Sequence, residues 1–214
     1  MKVNAEVYVA FIRKAAEKIA SEKDYITELD SITGDGDHCA NINFGFENLV
    51  ARIPDMEKMS ISDVFNTIGM VMMSKIGGSS GILYGSAYMA AAKKCTGKQE
   101  IDAAGLCDAL DAMCNDMCAR GKAKPGYKTM IDALYPAVEA FKADLAAKKT
   151  DLEILADVAK ATEDGAEATR NMEAVKGRAS YQETKGLGHL DPGAVTMSYQ
   201  LKELCNAIRE SLDK

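Results

Sequence analysis

The chain has 214 residues, a net charge of −6 and no block of like charges. That balance excludes nucleic acid and an anionic membrane surface as main partners. The N-terminal residues lack an unbroken apolar run, and the apolar stretches near Met70–Met73 and Ala87–Ala92 are too short to span a bilayer, so a cytoplasmic protein is expected. Six cysteines form no CxxC pair and no zinc ligand set, and they read as small buried hydrophobes in a reducing compartment.

In chain order, Asn4 to about Tyr25 carries Val7, Phe11, Ala15 and Ile19 at four-residue spacing, which predicts an amphipathic helix. An acidic loop follows. A second helix runs from Asn41 to Ile53, stopped before Pro54. Ser60 or Ser62 caps a third that ends near Lys75, and the Gly77–Gly81 turn opens a fourth that ends near Cys95. The fifth spans about Ile101 to Arg120, the sixth Lys128 to Lys148 and the seventh Asp151 to Met172; Asp191-Pro192 starts the eighth. No strand alternation is evident. The expected fold is all-α, an eight-helix antiparallel bundle or closed α-barrel forming one domain over residues 1–214.

The connectors Ile32–His38, Lys75–Gly81, Arg120–Tyr127 and Lys176–Gly193 are glycine-rich and alternate with plain ones, which would bring them together at one end of the bundle. The first holds Asp30, Asp35, Asp37 and His38, with Gly34 and Gly36 bracketing Asp35. Clustered carboxylates repel unless a cation neutralises them, and Mg²⁺ takes a few carboxylates together with phosphate oxygens. The competing role for these side chains is helix capping and turn formation. An EF-hand is excluded, since Asp35 at its first position would put Phe46 at the twelfth, where a glutamate is required. The nearby carboxylates favour a charged His38, as phosphate donor or as cap. Ser79 and Ser80 sit at a helix N-terminus suited to phosphate, without the lysine of a P-loop. Lys124 and Lys128 read as solvated lysines or as offsets to phosphate charge, and Met130 as a core residue or a neighbour of a base. Arg178 suits bidentate phosphate contact, and the Gln182–Gly188 loop suits a lid.

The segments Leu29–His38, Gly77–Gly85, Lys124–Met130, Gly177–Tyr181 and Gly188–Ala194 closely resemble, in order, the L (nucleotide-binding) subunit of bacterial dihydroxyacetone kinase. The resemblance implies an eight-helix barrel with ADP or ATP and two Mg²⁺ ions at one end. It makes Asp30, Asp35 and Asp37 the metal ligands. It assigns the nucleotide to His38, Cys39, Ala40, Asn41, Gly78, Ser79, Ser80, Gly121, Met130, Arg178, Asp191, Pro192 and Gly193, with Arg178 as the catalytic residue. Cys39 stands where the family usually has glycine, and Tyr127 where aspartate is common. The resemblance further implies a separate K subunit that carries dihydroxyacetone and a phosphohistidine M subunit of the phosphotransferase system as donor. The alternatives are an L subunit of an ATP-dependent ketose or tetrose kinase, and a module whose nucleotide state a transcriptional regulator reads.

Overall fold

The computed structural model describes residues 1–213. Nine α-helices occur among them: α1 (Ala5–Ser21), α2 (Lys23–Thr33), α3 (His38–Met56), α4 (Ile61–Lys75), α5 (Gly78–Lys94), α6 (Ala103–Gly121), α7 (Ile131–Ala146), α8 (Asp151–Ala168) and α9 (Pro192–Leu212). Two 3₁₀ turns, Thr169–Asn171 and Arg178–Tyr181, lie between α8 and α9. Among the described residues the only β-pairing is an isolated antiparallel bridge between Val3 and Ile101.

The helices close into a ring. α1 packs on α3, then each of α3 to α9 packs on the next, and α9 returns to α1. Eight helices therefore make the ring, as the sequence predicts; α2 is a ninth, packed on α3 and α9. The expected single helix to Tyr25 ends at Ser21, because the backbone at Glu22 departs from helical geometry and redirects the chain. In the new direction Ile26, Leu29, Asp30 and Thr33 turn inward, so the expected acidic loop is helical through Thr33. Pro54 does not stop α3 either. It sits three residues from the end, where one hydrogen bond is lost, and one further half-turn buries Met56.

One continuous core takes residues from all nine helices. The predicted stripe of Val7, Phe11, Ala15 and Ile19 is buried, and Tyr8 meets Phe65 edge-on at 4.6 Å between ring centres. Such a pair contributes about 1 kcal/mol beyond its buried area. α4 and α5 touch backbone to backbone: a β-carbon at Gly69 would lie 2.8 Å from the Gly85 carbonyl oxygen, and one at Gly85 equally close to that of Gly69. This contact sets how closely the middles of α4 and α5 pack. All six cysteines are free thiols, and burial pushes each of them up from the usual thiol range. No helix among the described residues is long and apolar enough to cross a membrane.

Alternate connectors gather at one end of the ring: α2–α3, α4–α5, α6–α7 and α8–α9. These are the four glycine-rich segments. The α3–α4, α5–α6 and α7–α8 connectors and the Val3–Ile101 bridge lie at the other end.

Candidate functional site

Asp30 occupies the last turn of α2, 6% exposed, and its Oδ2 accepts the backbone N–H of His38 at 2.9 Å. Asp35 and Asp37 follow in the exposed turn. One oxygen from each of the three carboxylates falls within 4.8 Å of the others. The two glycines act differently. Gly36 has φ of +78°, which β-carbons disfavour. Gly34 has a negative φ, but a β-carbon there would sit 2.1 Å from Oδ1 of Asp30, so its bareness is what lets that carboxylate lie over the turn. Arg178 pairs with Asp35, Nη2 to Oδ2 at 2.5 Å. One guanidinium against three adjacent acids leaves negative charge in excess, and a hard divalent cation suits oxygen donors so arranged.

Beside the acids opens a cavity of about 440 Å³. Its wall includes residues from the N-termini of α3, α5, α7 and α9. A helix N-terminus presents unpaired N–H groups and partial positive charge. The residues that precede α3, α5 and α7 are Asp37, Gly77 and Met130, and none lends a side chain to cap its helix. α9 is capped by Asp191, whose Oδ2 accepts from Ala194 N at 2.7 Å; Asp30 takes the first N–H of α3 and Thr129 Oγ1 that of α7 at 3.2 Å, so α5 keeps the open start. The wall thus pairs a carboxylate corner for a cation with the open N-terminus of α5 for an anion.

Of the residues expected at a nucleotide site, the wall holds Asp30, Asp35, Asp37, His38, Asn41, Gly78, Ser79, Ser80, Gly121, Met130, Arg178, Asp191, Pro192 and Gly193. Cys39 and Ala40 lie outside it: Cys39 faces the core, where helical geometry turns it away from its neighbours, and Ala40 is exposed elsewhere. The wall also contains apolar residues that sequence reading passed over, among them Ile42, Ile76, Leu83, Met117 and Ile131. Their spacing marked them as ordinary helix core.

Electrostatics correct two expectations. The charged imidazolium expected at His38 is not favoured, because burial lowers its pKa more than Asp30 and Asp37 raise it. Its Nε2 lies 2.9 Å from Thr196 Oγ1 on α9, which ties the start of α3 to α9. Lys128, expected either to be solvated or to offset phosphate charge, is 1% exposed, and its Nζ donates to the carbonyls of Thr169 at 2.6 Å and His189 at 2.5 Å. Burial lowers its pKa, while Asp191 and Asp132 oppose that shift. Asp132, unnoticed in the sequence, is buried and accepts the N–H of Gly126 at 2.5 Å and of Thr129 at 2.7 Å, moulding the α6–α7 connector. Asp191 rises to about 7, chiefly through burial, with its cap bond and Lys128 acting against the rise. The Gln182–Gly188 loop is strapped down in this structure: Gln182 Nε2 donates to the Ile32 carbonyl at 2.8 Å and Gly188 N to that of Arg170 at 2.8 Å.

Comparison with known proteins adds to this geometry. A family model described as the DAK2 domain matches residues 32–206. The ADP-binding subunit DhaL of the PEP-dependent dihydroxyacetone kinase of Escherichia coli (strain K12) is 31% identical over 210 residues, covering 98% of this chain and 100% of that subunit. The ADP-binding subunit DhaL of PEP-dependent dihydroxyacetone kinase 1 of Listeria innocua is 38% identical over 178 residues, 83% of this chain and 84% of its own. The crystal structure of the dihydroxyacetone kinase of C. freundii in complex with AMP-PNP and Mg²⁺ matches with a TM-score of 0.73 at 26% identity, covering 95% of this chain and 34% of that longer one.

Proposed function

The chain belongs to the DAK2 domain family, and on that premise we propose that it is the nucleotide-binding subunit of a dihydroxyacetone kinase, a single domain holding ADP or ATP with Mg²⁺. The observation that carries this reading is the cavity itself, where three clustered carboxylates adjoin the uncapped start of α5. The residues fit such a guest at both ends of its charge. Asp30, Asp35 and Asp37 hold the metal, proposed as two ions. When bound, the metal–nucleotide supplies the phosphoryl group to be transferred.

The remaining work falls to the chain's own groups. The backbone N–H groups of Gly78 to Ser80, with the two serine hydroxyls, donate to phosphate oxygens, helped by the dipole of α5. Pro192 and Gly193 close the opposite wall of the phosphate subsite at the start of α9. Gly121, Met130 and Leu83 supply the apolar lining for the base. Arg178, on its 3₁₀ turn beside Asp35, meets the charge that develops on the transferring group. In phosphoryl transfer, positioning and charge neutralisation do most of the catalysis.

The acceptor in this reading is dihydroxyacetone carried by a separate K subunit, and the donor is a phosphohistidine M subunit that recharges bound ADP in place. The PEP-dependent names of both curated relatives support that donor. Free ATP as donor is favoured by a different finding, the AMP-PNP complex of the C. freundii kinase. The proposed place of action is the cytoplasm, in keeping with six unpaired thiols.

Gel filtration with radiolabelled ADP in millimolar Mg²⁺ tests the reading. The native chain is expected to carry ADP through the column, and Asp35→Asn and Asp37→Asn to release it, with affinity down at least about 100-fold and helix content unchanged. A native chain with no measurable affinity for ADP or ATP at equilibrium overturns the proposal. ADP that is rephosphorylated without leaving selects the phosphohistidine donor, and rapid exchange selects ATP.

A further inference from the structure

We infer that Lys128 is a positioning residue of this cavity: its enclosed ammonium clamps the end of α8 to the segment just ahead of α9 and so sets where the start of α9 faces the nucleotide. The inference rests on the nucleotide reading above and assigns a residue that the reading leaves idle.

The placement is unusual for a lysine. Its side chain is almost wholly enclosed, and two of its three N–H bonds go to main-chain carbonyls 20 residues apart, Thr169 and His189. Lysines are seldom buried unless something binds the charge. Its backbone also takes φ of +59°, a left-handed conformation that a β-carbon disfavours. Such a conformation persists where the surroundings over-determine it. They do so here. The carboxylate of Asp132 grips the N–H groups on either side, at Gly126 and Thr129, and Val175 N donates to the Tyr127 carbonyl at 3.2 Å.

What Lys128 gathers is the cavity wall. Thr169, at the end of α8, accepts the Asp191 N–H on its Oγ1 at 3.0 Å, and His189 stands two residues before Asp191. Pulling both carbonyls to one ammonium fixes the backbone that leads into Asp191, and hence where the Asp191–Gly193 corner begins. Met130 lies two residues along from Lys128 itself. None of these contacts reaches Asp35 or Asp37. The clamp acts on the half of the site that faces the nucleotide and leaves the carboxylate corner alone.

That division supplies the test. Lys128→Met keeps the aliphatic stem and removes the ammonium; Thr169→Val keeps the shape and removes the acceptor of the Asp191 N–H. ADP affinity in saturating Mg²⁺ is measured by calorimetry, and Mn²⁺ bound without nucleotide is measured by electron paramagnetic resonance. Lys128→Met is expected to weaken ADP roughly 30-fold, with Mn²⁺ affinity held within about twofold of native. Thr169→Val is expected to weaken ADP about fivefold by loss of one hydrogen bond. If Lys128→Met binds ADP as the native chain does, or loses Mn²⁺ in step with ADP, Lys128 is a general core cation and the inference fails. Should Lys128→Met not fold, Thr169→Val decides, and native ADP affinity in that variant overturns the clamp. A native chain without ADP affinity removes the nucleotide reading, and the clamp with it.

Discussion

The two ends of the ring are built from the same helices and finished in opposite ways. At the end away from the cavity, α1, α4, α6 and α8 begin on Asn4, Ser60, Asp102 and Thr150, and each of these side chains accepts a backbone N–H of the helix it starts. Thr150 and Glu153 form a full capping box. At the cavity end the residues that precede α3, α5 and α7 lend no side-chain cap. Six of the seven glycines with positive φ, Gly36, Gly78, Gly126, Gly177, Gly186 and Gly188, also belong to this end, and Gly97 alone to the other. One end is finished for stability. The other leaves the start of α5 uncapped and more of its backbone bare, at a cost in stability.

Substitutions can break that contrast, beginning where the effect is largest. Gly34→Ala drives a β-carbon into the Asp30 carboxylate. Mg²⁺-dependent ADP affinity is expected to fall roughly 30-fold by calorimetry with the ligand set itself intact, and unchanged affinity would show that Asp30 has room to move. Gly77→Asp installs at α5 the kind of cap the far end uses, and puts a carboxylate where phosphate is proposed to sit. The empty chain is expected to melt higher, while ADP binds about three- to tenfold more weakly. A variant that gains both stability and affinity would mean that α5 does not face the phosphates.

The third prediction concerns pH. Asp191 has a folded-state value of about 7, raised from 3.8 mainly by burial. A raised carboxylate favours folding fully below the unfolded value, and that contribution is lost as pH climbs through about 7. Urea midpoints of the ligand-free native chain should therefore decline between about pH 4 and 7 relative to Asp191→Asn, which retains a capping oxygen and lacks the titration. Parallel curves would place Asp191 in a wetter setting than its burial indicates. The smallest effect belongs to the far end. Thr150→Ala should remove about 1 kcal/mol of stability, a melting shift of a few degrees, and leave ADP affinity alone.

The same contrast explains what was legible in the sequence. Caps such as Asp102 and Thr150 act on residues three along, so the helices they start can be found from local pattern. The carboxylates and glycines of the cavity were equally visible, because Asp35-Gly36-Asp37 is a local arrangement as well. Residues whose partners are distant in sequence were misread. Lys128, flanked by Gly126 and Thr129, looks like a solvated connector, and the carbonyls that hold it are 41 and 61 residues away. Asp132 looks like an ordinary acid in the first turn of a helix, and α2 looks like a loop, its Asp, Ser and Thr content masking Ile26 and Leu29. His38 was read from its charged neighbours, whereas burial dominates its electrostatics.

Closure of the ring also fixes an order of events during synthesis. The seam joins α1 to α9, the first and last helices of the ring, and the Asp191–Gly193 corner arrives with α9. A ribosome-bound chain that has released residues 1–185 owns its acidic turn, yet has no fourth wall for a nucleotide and an open flank on α1 and α8. Because contacts between distant segments form late, the cavity is completed only when α9 packs against α1, and the proposed nucleotide meets a receptive site only after α9 has emerged.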